Sequence, residues 1–356
     1  MSEVQGGKRL FNTRPILRGP TQVGTRKQAC GAVGSAGHPL GGGAGYAETV
    51  APTGSPASCF DELHEALSAA KSGDTVYVAG DATIECTERV YIEQSVLELP
   101  GGVTLASDRG VDGSSGALIR SDAFATRPLV RVTGPDARLT GVRLQGPNPR
   151  RCLEHHARAF REGHGGHDYY YRFPISVGID TDYSRLRVDN CELAGWSHSA
   201  VYLVRGAGHR VQHNFIHHNQ YNGLGYGVSH DVAESLIEGN LFTANRHSIA
   251  GTGRGGSGYE ARHNVELGRT LSHCFDMHGG RDRKDGTDVA GGWMHVHHNT
   301  FRAQRRRAIV IRGTPEGEAV IERNWFRHRT ERGAIRCEVG VRVCDNAWGQ
   351  TEAVIR

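Results

Sequence analysis

Beyond residue 79 the apolar positions fall in short runs of period two, and the runs themselves recur about every two dozen residues. Asparagines mark the repeat in matching contexts: Asn190 (VDNCEL), Asn214 (VQHNFI), Asn240 (IEGNLF), Asn264 (ARHNVEL), Asn299 (VHHNTF), Asn324 (IERNWF) and Asn346 (VCDNAW). Their spacings are 24, 26, 24, 35, 25 and 22. Val211, Ile237, Ala261, Val296, Ile321 and Val343 each stand three places before an asparagine. A unit this short has no room for a strand, a crossover helix and a second strand, so the pattern predicts coils of short strands that pair with the coils above and below. The asparagines are expected to stack at a turn, bonding along the axis through their amides and adopting left-handed backbone.

Upstream the period changes. Phe60, Leu63, Leu67 and Ala70 fall on one helical face, with Ser58 or Asp61 placed to cap it and Gly73 to stop it. The segment SGDTVYVAG then reads as a turn and a strand in Val76 and Val78. Residues 1–58, rich in Gly, Pro, Ser and Thr and including GGGAG at 41–45, show neither period and read as an extended or loosely attached N-terminal segment. The repeat, the helix leading into SGDTVYVAG and coils of the form V-x-x-N-x-F resemble the right-handed parallel β-helix proteins of the pectate-lyase-like superfamily, over roughly residues 59–350. The expected fold is therefore all-β, a right-handed parallel β-helix solenoid with an N-terminal capping helix, occupying residues 59–356 with loop insertions near 147–172 and 278–292.

Stacking the rungs aligns residues through space. The runs SAVYLV, NGLGYG, HSIAGT, HCFDMH and RAIVIR place Val201, Leu224, Ile249, Phe275 and Ile309 in one inward row and Leu203, Met277 and Ile311 in another. Tyr202, Gly225, Ala250, Asp276 and Val310 then face out, followed by Gly227, Thr252, His278 and Arg312. At the start of the same runs Asn222, His247, His273 and Arg307 line up, adjacent rungs being about 4.8 Å apart.

Composition changes the picture in three ways. With 37% hydrophobic and 22% charged residues the chain can bury a core, and no apolar stretch approaches the roughly 18 residues of a membrane span. A net charge of +4 is too small to argue for nucleic acid, but only Lys8, Lys27, Lys71 and Lys284 are lysines, so 38 of the 42 basic residues are arginine, the side chain that grips planar anions with a fork of donors. Eight cysteines without CxxC spacing exclude a zinc ribbon; Cys59 with Cys86 and Cys337 with Cys344 are candidate disulfides in an oxidising compartment. The N-terminus lacks the apolar core of a secretory signal, whereas the resemblance favours an extracellular protein.

A row of ionisable groups on a solenoid suits a long polymer that makes many shallow contacts. The expected activity is cleavage of an acidic, uronate-containing polysaccharide by β-elimination. His247 or His273 would be the base and Tyr226 or the second histidine the acid, with Arg246, Arg281 or Arg307 clamping the carboxylate. Asp276 completes the catalytic set; His278, Lys284, Arg312, Tyr171, Arg172 and Asn222 are expected to bind substrate, with DYYYR supplying rings for sugar stacking. The alternatives are a glycoside hydrolase, with Asp276 and a second acid from Asp231, Asp282, Asp285 or Asp288, and a non-catalytic carbohydrate-binding or tailspike-like module. The resemblance raises calcium as a cofactor, and Asp282, Asp285 and Asp288 offer oxygens at i, i+3 and i+6. The expected partner is a polysaccharide or oligosaccharide, not nucleic acid or membrane.

Overall fold

The computed structural model describes residues 30–148 and 153–349; the remainder, including half of the N-terminal segment and Cys152 with its neighbours in the first insertion, lies outside the described residues. All its strand pairs are parallel, 17 strands in one sheet and 10 in a second. Each strand pairs with its equivalent one coil away, so Val188, Val211, Ile237, Ala261, Val296, Ile321 and Val343 form one unbroken register. The chain is a parallel β-helix. Two long strands, Ser199–Gln212 and Tyr226–Glu238, join two branches of the larger sheet, and a register shift between Gly206 and His209 absorbs the bend. Among the described residues no helix is long and apolar enough to cross a membrane.

Alternation supplies the interior. Phe275 meets Phe301 edge-on, and Phe301, Phe326 and the half-buried Trp348 stack in successive coils, at centroid distances of 4.7–4.9 Å, each fully buried ring contributing about 1.5–3 kcal/mol. One row breaks the rule: Glu266 sits between Phe242 and Phe301, fully buried. Its Oε2 accepts the Ser248 hydroxyl at 2.6 Å, and burial pushes its carboxyl up to about 8.

The asparagines form a ladder from Asn214 to Asn346. Each Oδ1 accepts the main-chain N–H of the previous coil at 2.8–3.0 Å, and the Nδ2 groups donate to carbonyls such as Val188 and Val211. The left-handed residue is not the asparagine but the one before it, namely His213, Gly239, His263, His298, Arg323 and Asp345. Asn190 departs by one position. It is itself left-handed at φ 53°, and Cys191 occupies the ladder site, because an asparagine tolerates that backbone region where cysteine does not.

The N-terminal helix spans Phe60–Ala69 and seals the first coils with Leu63 and Leu67. Its N-cap is Cys59, not Ser58 or Asp61; Glu62 reaches back to the Ser58 N–H and hydroxyl, while Asp61 pairs with Arg89. Residues 30–57 lie along the asparagine corner as a strap, from Gly31 on the Arg323 carbonyl to Ala57 beside Val78. A Cβ on Gly42 would collide with the His213 carbonyl, so the strap needs glycine there. Neither expected disulfide forms: Cys86 is buried in the core while Cys59 is exposed, and the Cys344 thiol faces Glu322 while Cys337 leans on the core.

Candidate functional site

The strand starts bring one polar face together. Val201, Val228, Ile249, Phe275 and Ile309 form the inward row, and Tyr202, Ser229, Ala250, Asp276 and Val310 the outward one. In the rung at 222–231 the expected alignment is four residues out. Leu224 closes a tight turn onto Tyr221, Gly223 and Gly225 have positive φ, and the strand starts only at Tyr226. Val228, Ser229 and Asp231 therefore take the places expected for Leu224, Gly225 and Gly227, and Tyr226 replaces Asn222 above His247.

Tyr226, His247 and His273 stack in one column, with centroids 5.8 and 5.5 Å apart and rings within 25° of parallel. His247 is fully buried and its Nδ1–H donates to the His273 carbonyl at 2.7 Å. Burial pushes its imidazole down to about 3 against the pull of Asp276. His273, the half-buried end of the column, is also shifted down, first by burial and then by the charges of Arg312, Arg246 and Arg307 against that of Asp276. Neither Arg246 nor Arg307 has a carboxylate partner among the described residues; Arg246 leans on the Tyr226 hydroxyl, and its buried Nη1 makes no hydrogen bond. Burial raises the Tyr226 phenol, and its O–H donates to the Gly223 carbonyl at 3.1 Å. The first insertion closes beside it: Tyr170 stacks on Tyr221 at 4.7 Å, and the Tyr171 hydroxyl covers Gly223.

Next to the column Asp276 is fully buried and gripped by Arg312, Nε on Oδ1 at 2.9 Å and Nη2 on Oδ2 at 2.7 Å. Its Oδ2 also lies 3.1 Å from His278 Nε2 and 3.4 Å from His247 Nε2. Burial opposes its charge, but the His278 hydrogen bond and the Arg312 guanidinium outweigh it and hold the carboxyl well below the usual range. His247 is the neutral neighbour and Arg312 the lasting counter-charge. A carboxylate so held stays ionised and does not serve as the acid that protonates a leaving group. Arg312 likewise has its fork filled by Asp276, with Nη1 3.3 Å from Asp282.

The second insertion does not assemble a cation site. Asp282 faces Arg312, Asp285 pairs with Arg283 at 2.7 Å, and Asp288 pairs with Arg281 at 3.1 Å, so the three carboxylates answer three different guanidiniums. Lys284 and Arg172 are exposed on their loops, and Asn222 lies in the turn before Tyr226. Two features had no signal until the rungs were aligned. His198 Nδ1, Ser199 Oγ and Ser229 Oγ form a chain of 2.7 and 2.6 Å contacts beside Tyr202 and Tyr226, and Asp231 binds Thr252 at 2.9 Å and Arg254 at 3.1 Å. No protein-family model and no curated protein matches this chain, so what is established is two long parallel sheets stacked in register as a β-helix.

Proposed function

We propose that the His273 face cleaves a uronate-containing polysaccharide by β-elimination, as the resemblance to pectate-lyase-like proteins implies. One observation carries this reading: two guanidiniums without carboxylate partners, Arg246 and Arg307, flank a histidine whose pKa is lowered. An anionic sugar supplies the missing counter-charge. Its carboxylate would sit between Arg246 and Arg307, which stabilise the enolate as the adjacent proton leaves. His273 takes that proton, since burial and the surrounding cations keep its lone pair free; His247 braces it through ring stacking and the bond to its carbonyl. The electron pair forms the C=C bond as the glycosidic C–O bond breaks, and the Tyr226 phenol, which burial keeps protonated, gives its proton to the leaving oxygen. His278, fixed on Asp276, offers a hydrogen bond to the neighbouring sugar. Tyr171 provides an exposed ring at the edge of the insertion.

The test is incubation with a panel of uronic-acid polymers, following the ultraviolet absorbance of the unsaturated product and the release of reducing ends. Unsaturated ends that disappear in Arg246→Ala and Arg307→Ala support the proposal. Reducing ends without absorbance indicate hydrolysis, and binding without either product indicates a carbohydrate-binding module; both outcomes overturn it.

A further inference from the structure

A second polar concavity lies on another part of the solenoid, where the strap crosses the asparagine corner. It measures about 440 Å3 and is walled by His38 and Glu48 of the strap and by Arg187, Arg210, His213 and His263 of the coils. Arg138, Arg187 and Arg210 are vertical neighbours in register on three consecutive coils, whose strands lie about 4.8 Å apart, so like-charged side chains start side by side. Two of the three are answered. Arg138 and Arg187 both bind Asp189, at 2.7 and 2.9 Å, and Arg187 also binds Glu48 at 2.6 Å. Glu238, the other acid in the wall, is held by Arg262 at 2.8 Å and by Gln212 at 3.0 Å. Arg210 has no carboxylate partner among the described residues.

The remaining walls add directional polar groups. His263 accepts the Val33 N–H at Nδ1 and so carries its ring proton on Nε2, whereas His213 donates from Nδ1 to the Pro39 carbonyl and keeps a lone pair on Nε2. The rings of His38 and Tyr46 lie 5.3 and 5.8 Å from that of His213. An arginine fork without a carboxylate partner and one imidazole donor match an oxyanion, and the imidazole acceptor suits a hydroxyl on a ring that bears it. We propose that this strap-covered cavity is a binding site for an oxyanion, free or borne on a sugar ring, with Arg210 as its anchoring cation. It is independent of the β-elimination reading, since none of its residues belongs to the His273 face.

The proposal is tested by calorimetric titration of the full chain carrying Arg246→Ala and Arg307→Ala, so that the other face contributes no cation, with galacturonate, sodium sulfate and galactose as probes. Saturable binding of galacturonate or sulfate is expected, weakened at least tenfold by Arg210→Gln and less by Arg210→Lys, which keeps the charge but loses the planar fork. Preference for galacturonate assigns a sugar acid and preference for sulfate a free inorganic anion. Arg210 is exposed, so an unchanged melting temperature without ligand verifies that the glutamine variant is folded. The proposal is overturned if neither anion binds, if galactose binds as tightly as galacturonate, or if Arg210→Gln binds as the parent does.

Discussion

The asparagine corner and the His273 face belong to the same coils, yet they satisfy their polar groups in opposite ways. At the corner Asn264 accepts from the Asn240 main chain and donates to the Ile237 carbonyl and to Asn299, leaving nothing unpaired. On the face, Arg246 Nη1, His247 Nε2 and His273 Nδ1 are buried atoms without hydrogen bonds. An unmet buried donor or acceptor costs about 1–3 kcal/mol, a cost that the ladder amides avoid and these three face atoms carry. The contrast also separates stability from chemistry, and substitutions on either side can be used to break it.

The largest effect expected is on turnover. His273→Ala should lower the elimination rate by about 10²–10⁴-fold with little change in melting temperature, measured by steady-state kinetics beside thermal unfolding. If stability collapses instead, the face is structural. Arg312→Ala removes the counter-charge of a fully buried carboxylate and should destabilise the fold by about 3–5 kcal/mol in denaturant titration. Asn264→Ala leaves the Asn240 N–H and the Ile237 carbonyl unmet, with an expected loss of about 2–3 kcal/mol and no change in KM.

Two pH dependences sharpen the same division. Glu266 takes up its proton more readily folded than unfolded, so the folded state binds more protons between about 4.5 and 8 and stability falls as pH rises through that window. Glu266→Gln should flatten that slope in melting temperatures measured across the range. On the face the base must be neutral, and His273 is shifted below the ordinary imidazole value of 6.5. The acid limb of the rate profile is therefore expected below that pH, read as product formation against pH.

Much of the fold was legible because the alternation and the coil period report directly on which side chains face in. The row from Val211 to Val343 could be read position by position, as could the stacking of His247 on His273 and the convergence of Asp276 with His247 and His278. The rung at 222–231 could not, because a glycine-rich turn of variable length leaves no mark on the hydrophobic pattern until the strand resumes, and a slip there exchanges Asn222 for Tyr226. Asn190 misled for a related reason: the left-handed position and the ladder position are neighbours, and asparagine suits both.

The sequence by itself determined the winding, since a short repeat with every second residue apolar can bury its faces only by coiling on itself. It also determined the ladder, because a buried amide has few other ways to meet its hydrogen bonds. Tertiary structure alone decided the burial of His247 and Asp276, the commitment of Arg312 to Asp276, and the lack of carboxylate partners for Arg246, Arg307 and Arg210 among the described residues. Those properties are differences between competing neighbours drawn from separate coils, insertions and the strap. Charge pairing depends on ångström-scale distances that the order of residues along a chain does not encode locally.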